Sequence, residues 1–261
     1  MTNEHGENAV PQQSRQSTSS DLPMVTLDPR LGPAAAAGDP LSDDAKQRVR
    51  ELGAQVIARY PRPRSALMPL LYLVQAEQGY VSPDGIKLVA EMLNLTTAEV
   101  SAVSTFYTMY KRRPCGDYTV GVCTNTLCAI LGGDAIFESL KEHLGVGNNG
   151  TTPDGKVTLE HIECNAACDY APVMMVNWEF FDNQTVESAR ELVDRLRAGD
   201  PPTPTRGAPL RTHMETSKVL AGFADGAVNS GPSAGPASLV GVELAKERNE
   251  TAPAMRQEAG S

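Results

Sequence analysis

The sequence predicts an α+β protein: a small helical bundle, then a small mixed sheet covered by helices, with a polar arm at each end. Three observations carry this. Between residues 42 and 110, apolar residues recur at helical spacing in four short runs that begin and end on capping signals. From Tyr118 the period changes, and strand-like runs alternate with helical ones. Residues 1–41 and 200–261 are rich in small and polar residues and lack an apolar pattern long enough for a core. The expected organisation is a disordered or partner-draped arm at 1–41, the bundle at 42–110, the sheet domain at 111–199 and an extended arm at 200–261.

Order is expected to begin at Ser42, an N-cap followed by Asp43 and Asp44, with Ala45, Val49, Leu52, Val56 and Tyr60 on one stripe and Pro61 as the stop. A second helix is expected over 65–78, with Pro69 tolerated near its first turn and Gly79 as the left-handed residue that ends it. Ser82-Pro83 opens a third helix, proline standing at the first helical position. Thr96-Thr-Ala-Glu99 is a capping box that opens the fourth. The aromatic run Thr105-Phe-Tyr-Thr-Met-Tyr110 is expected to form a packed joint between bundle and sheet. Residues 118–122 then read as a buried strand, 134–144 as an amphipathic helix, 156–162 as a second strand, 173–177 and 178–181 as a hairpin, and Thr185 as the cap of a last helix. The order β, α, β, β, β, α is compatible with a thioredoxin-like sandwich. Beyond Gly199 the core has ended, although Met214, Val219, Leu220 and Phe223 are enough to dock residues 213–223 on a neighbour.

A formal net charge of -9 and a pI near 5.0 exclude a general nucleic-acid binder, which needs a basic patch, so the partner is expected to be protein. No stretch approaches the roughly 20 apolar residues that cross a bilayer, and residues 1–21 lack the apolar core of a signal peptide. The expectation is a cytoplasmic chain with no direct membrane insertion. In a reducing compartment, 5 cysteines are not a disulfide framework, and an odd count fits one poorly.

Four of them form two local pairs, Cys123-Thr-Asn-Thr-Leu-Cys128 and Cys164-Asn-Ala-Ala-Cys168, each just after an expected strand. Loops at strand ends are rigidly based, so two such loops side by side can aim four thiolates at one point, as an iron–sulfur cluster requires. The small residues Ala129, Ala166 and Ala167 leave room for inorganic sulfide and for backbone N–H groups. The same spacing leaves three other uses open. Structural zinc accepts the second pair and takes the first at the margin. A thiol–disulfide enzyme would show two-residue spacing, and plainly buried cysteines would not gather in loop pairs. Cys115, beside Pro114 and Gly116, reads as an ordinary thiol.

Gly145-Val-Gly147-Asn-Asn-Gly150 has the letters of a dinucleotide-binding turn, but it follows a helix and leads to a turn and a strand. A phosphate fingerprint must follow a strand and open a helix. No other nucleotide site is evident. His143 and His161 are expected to be surface or satisfied residues.

The motifs Ser104-Thr-Phe-Tyr-Thr-Met109, Val122-Cys-Thr-Asn125, Thr151-Thr-Pro-Asp-Gly155 and Glu163-Cys-Asn-Ala-Ala-Cys168 with Ala171-Pro172, in this order, resemble the thioredoxin-like [2Fe-2S] family of bacterial complex I, that of its E subunit, counterpart of the mitochondrial 24 kDa subunit. The resemblance covers about residues 42–198. It implies one [2Fe-2S] cluster of the N1a type, ligated at Cys123, Cys128, Cys164 and Cys168, in the NADH-dehydrogenase module of NADH:quinone oxidoreductase. It also implies docking on a partner subunit that carries FMN and the NADH site, contact with the large iron–sulfur subunit, and a place in the peripheral arm at the cytoplasmic face of the membrane. A diaphorase subunit of an NAD-dependent hydrogenase or formate dehydrogenase is the runner-up; a zinc-stabilised interaction module is the rival from another class. Related chains often have Leu-Gly where this one has Asn165-Ala166, a departure that alters hydrogen bonding and removes no ligand.

Overall fold

The computed structural model describes residues 40–227 and 230–251, so most of the arms expected at 1–41 and at the extreme C-terminus lies outside the described residues. Leu41, assigned to the arm, is buried in the bundle core. Helix α1 (Asp43–Ile57) starts where Ser42 Oγ accepts the Ala45 N–H at 3.2 Å. Residues 65 and 66, expected to be helical, belong instead to a 3-10 turn, Pro63–Ala66, and α2 (Leu67–Gln78) follows it and ends on Gly79 at φ 80°. Leu70, Leu71, Leu73 and Val74 are buried all round α2, the pattern of a helix at the centre of a bundle. Helix α3 (Pro83–Leu93) and α4 (Thr97–Phe106) pack beside it, α4 opening on the Thr96–Glu99 capping box.

The second half is a five-stranded sheet of order β2-β3-β1-β4-β5. Its strands are β1 (Tyr118–Cys123), β2 (Gly150–Thr151), β3 (Val157–Ile162), β4 (Met174–Val176) and β5 (Glu179–Phe181). Only the central β1–β3 pair is parallel, with Cys123 opposite Ile162. Between β1 and β2 the chain forms the short α5 (Thr126–Ile130) and α6 (Gly133–Leu144); after β5 comes α7 (Val186–Ala198). Ile136, Leu140 and Leu144 of α6 join Ala189, Leu192, Val193 and Leu196 of α7 on the face of the sheet that carries Val120, Val122, Val157 and Leu159. Strand alternation sends Cys123 and Ile162 to the opposite face. The helices expected here are present, while α5 and the two-residue edge strand β2 were not anticipated.

Two expectations need correction. The run 105–110 is not packed throughout: Tyr110 is buried with its ring 4.7 Å from that of Tyr72, but Phe106 is 77% exposed and Tyr107 also faces solvent. The stretch 200–261 is not simply extended, since it forms α8 (His213–Leu220) and α9 (Pro236–Glu247). The neighbour on which 213–223 docks is the chain's own bundle. Gln75, fully buried on α2, donates to Ser217 Oγ at 3.0 Å and to the Met109 carbonyl at 3.2 Å, and its Oε1 accepts the Lys111 N–H at 2.7 Å. Ala221 and Phe223 complete the bundle's apolar core.

Candidate metal centre

All four paired cysteines line one pocket, together with Asn165, Ala167 and Val173. Each reaches it from a different local device. Cys123 is the last residue of β1, where its N–H donates to the Val173 carbonyl at 3.1 Å, and Cys128 lies on α5. Cys164 follows β3 in an irregular loop, and Cys168 opens a 3-10 turn, Cys168–Tyr170. Because β1 and β3 are parallel, both cysteine-bearing loops leave the sheet at the same end. Cys123 and Cys128 are buried, and Cys164 and Cys168 are exposed, so the pocket has a closed protein side and an open outer side.

Gly133 makes this approach possible. A Cβ there would stand 2.5 Å from the Cys123 carbonyl oxygen and 2.9 Å from that of Cys128, so the start of α6 meets the backbone of both residues at a distance only glycine allows. The sequence shows Gly132-Gly133 merely as a break between segments; the close approach that selects glycine is non-local. In the second loop, Ala166 adopts φ 54° and its N–H donates to Cys164 Sγ at 3.3 Å. Tyr170, two residues past Cys168, is held by the C-terminal segment. The Arg206 guanidinium lies 5.1 Å from its ring and 4.5 Å from that of Phe180, while Asp182 accepts two hydrogen bonds from Arg206 at 2.7 and 2.8 Å. The Ala237 N–H of α9 donates to Tyr170 Oη at 3.1 Å, and Ser238 bonds Asp169. Sequence reasoning missed Tyr170, Arg206 and Ser238: Tyr170 stands beside Cys168 in the chain, but nothing local links it to Arg206 or Ser238.

The donor set is all sulfur, which suits iron–sulfur or zinc chemistry. Cys164 Sγ and Cys168 Sγ are 3.7 Å apart; two sulfurs on one tetrahedral metal, with metal–sulfur bonds of about 2.3 Å, stand about 3.8 Å apart. Among the described residues, no three of His, Cys, Asp or Glu converge closely enough to share a single ion. The Cys164–Cys168 spacing is that of two sulfurs on one metal. Asn165 Nδ2, shut off from solvent and without a hydrogen-bond partner, lines the same pocket, as a donor would beside a sulfur acceptor. Burial pushes the Cys128 thiol up to about 11, the Val173 amide pulling the other way and Cys123 adding to the rise. Cys168 is raised chiefly by its hydrogen bond and proximity to Cys164. Thiols crowded like this keep their protons until a cation takes their place.

The remaining candidates stay outside the pocket. Cys115 donates to the Gly79 carbonyl at 3.3 Å, and burial pushes its thiol up to about 12, the environment of an inert cysteine. His143 Nε2 is 2.7 Å from Asp194, and the exposed His161 meets Phe137 edge-on at 6.2 Å between ring centres. Gly145 ends α6 in the left-handed region, and the Gly150 N–H turns back to the Gly147 carbonyl at 2.9 Å. That glycine run closes a helix and enters β2.

The family of thioredoxin-like [2Fe-2S] ferredoxins matches residues 53–197. The E subunit of NADH-quinone oxidoreductase from Mycobacterium tuberculosis is 60% identical over 211 residues, 80% of this chain and 84% of the relative. The Rickettsia bellii protein of the same name is 38% identical over 149 residues, 56% of this chain and 89% of its own length. Among solved structures, a chain of an NAD+-reducing [NiFe]-hydrogenase is similar with a TM-score of 0.48 and 17% identity, covering 54% of this chain and 25% of its own.

Proposed function

The chain belongs to the family of NADH-quinone oxidoreductase E subunits and carries its thioredoxin-like [2Fe-2S] domain, and from that premise we propose that Cys123, Cys128, Cys164 and Cys168 are the four ligands of one [2Fe-2S] cluster of the N1a type. The observation that carries this is the meeting of both cysteine pairs in one pocket, with the Cys164 and Cys168 sulfurs at the spacing of two donors on one metal. Cys164 and Cys168, at 3.7 Å, serve one iron; Cys123 and Cys128, on β1 and α5, serve the other. When bound, the cluster accepts and releases single electrons. The chain's task is to hold it in a fixed frame: β1 and β3 set the ligand loops, Ala167 and Val173 shield the inner side, and the exposed outer loop leaves a short path to a partner.

The expected exchange partner is FMN on the flavin- and NADH-binding subunit, with the large iron–sulfur subunit as a further neighbour, in the peripheral arm at the cytoplasmic face. The names of the 60% identical relatives support the quinone oxidoreductase over a hydrogenase or formate dehydrogenase diaphorase. Iron and acid-labile sulfide analysis of the purified full chain, with EPR of its reduced state, tests the assignment. Serine at any of the four positions should abolish or gravely alter the signal, and Cys115→Ser should leave it intact. A colourless protein holding zinc, or a signal lost in Cys115→Ser, would refute it. The chain alone should show no NADH-acceptor reductase activity.

A further inference from the structure

Besides the sulfurs, the pocket contains one group with an unmet requirement. The Asn165 side-chain nitrogen is removed from solvent and has no hydrogen-bond partner among the described residues. A buried N–H left so is costly, and native structures keep such groups rarely and for a reason. Asn165 lines the same pocket as Cys123, Cys128, Cys164 and Cys168, whose other lining residues, Ala167 and Val173, are apolar. The backbone supports the same direction of donation. At φ 54°, Ala166 turns the loop so that its own N–H donates to Cys164 Sγ at 3.3 Å.

We propose that Asn165 Nδ2–H donates a hydrogen bond to a sulfur of the cluster and thereby raises the cluster's midpoint potential. This rests on the four-cysteine ligand assignment and adds to it a residue that is not a ligand. The physical reason lies in charge. Reduction adds one electron and makes the sulfurs better acceptors, so a donor atom shielded from solvent beside them binds the reduced form more strongly than the oxidised form. Asn165 is neutral and contributes by its N–H dipole alone. Removing it should therefore leave the ligands in place and change only the balance between the two redox states.

The test uses the cluster-loaded full chain with Asn165→Leu, Asn165→Ser and Asn165→Asp, each titrated by EPR against potential. In Asn165→Leu the reduced-to-oxidised ratio at a given potential should fall about tenfold, a negative shift of about 59 mV for a one-electron couple. Asn165→Ser, with a shorter donor, should recover part of it, and Asn165→Asp, which brings negative charge, should shift further down than leucine. In the unsubstituted chain, labelling asparagine with nitrogen-15 should give a hyperfine coupling to the reduced cluster that Asn165→Leu lacks; this readout stands even if a variant loads poorly. An unchanged or higher potential in Asn165→Leu, or no such coupling, overturns the proposal. Cys164→Ser in the same series separates the two levels. If it keeps an unaltered signal, the ligand assignment has failed; if it loses the signal while Asn165→Leu titrates like the parent, only the role of Asn165 has failed.

Discussion

A single missing methyl group decides whether the first cysteine pair reaches the pocket. Gly133 lets α6 begin against the carbonyls of Cys123 and Cys128, where a Cβ would lie 2.5 and 2.9 Å from their oxygens. Backbone cannot yield as a flexible side chain can, so Gly133→Ala has to move β1's end, α5 or α6. The expected result is a loss of about 1–3 kcal/mol of stability, the usual effect of overpacking, and a clear drop in iron and sulfide per chain, measured by melting and by metal analysis. A variant that melts and loads like the parent would show that the loop yields without moving the thiols. The sequence could not reveal this residue's role, because its reason is a contact with two other segments. Cys123, Cys128, Cys164 and Cys168 were legible for the opposite reason, each pair announcing itself within six residues.

Capping chemistry made four of the described helices readable, for Ser42, Pro83, Thr96 with Glu99, and Thr185 act on backbone within one turn. Helix α5, of 5 residues, is too short to show a period, and β2 owes its existence to β3. The partner of α8 also escaped, since its apolar residues predict docking but fix no neighbour by themselves. That docking turns on Gln75, which bonds Ser217, Met109 and Lys111 at once in the bundle's interior. Gln75→Leu keeps the volume and leaves the Lys111 N–H without its acceptor. The expected loss is about 2–4 kcal/mol, from one unmet buried donor together with the lost bonds, read as a lower urea midpoint. Near-parental stability in that variant would mean that α8 is held by apolar contact alone. Helix α9 has no buried residue, and Leu239, Val240, Val242 and Leu244 are exposed; its described tie to the fold is the first turn, through Ala237 and Ser238, to Tyr170 and Asp169.

Among the described residues, the two larger apolar cores, one in the bundle and one under the sheet, meet at a seam that is largely polar. Lys111 and Glu160 pair there at 2.6 Å with 14% exposure each, and the His213 N–H donates to the Asp117 carbonyl at 2.7 Å. The His213 ring is buried 5.7 Å from that of Trp178, and neither ring nitrogen makes a well-formed hydrogen bond. Burial pulls its pKa down to about 4, Lys111 adds to the fall, and the nearby Gly79 backbone offsets only part of it. In the unfolded chain the ring takes a proton near 6.5. Between these values the unfolded state binds the extra proton, so stability is fullest above about 6.5 and falls as the pH drops toward about 4, by up to roughly 3 kcal/mol. Urea midpoints across that window should fall with acid in the parent chain and show a flatter slope in His213→Leu; equal slopes would place the acid sensitivity elsewhere. The parallel pairing of β1 with β3 has, finally, a consequence for timing. The two halves of the thiol set are more than 35 residues apart along the chain, on opposite sides of α6 and the β2–β3 turn, and pairings between such distant segments are late to form. On the proposed four-ligand assignment, a chain whose β1 and β3 have yet to pair offers the cluster at most one cysteine pair. Cluster loading would then act as an inspection of the finished sheet, reaching only chains whose central strands have already come into register.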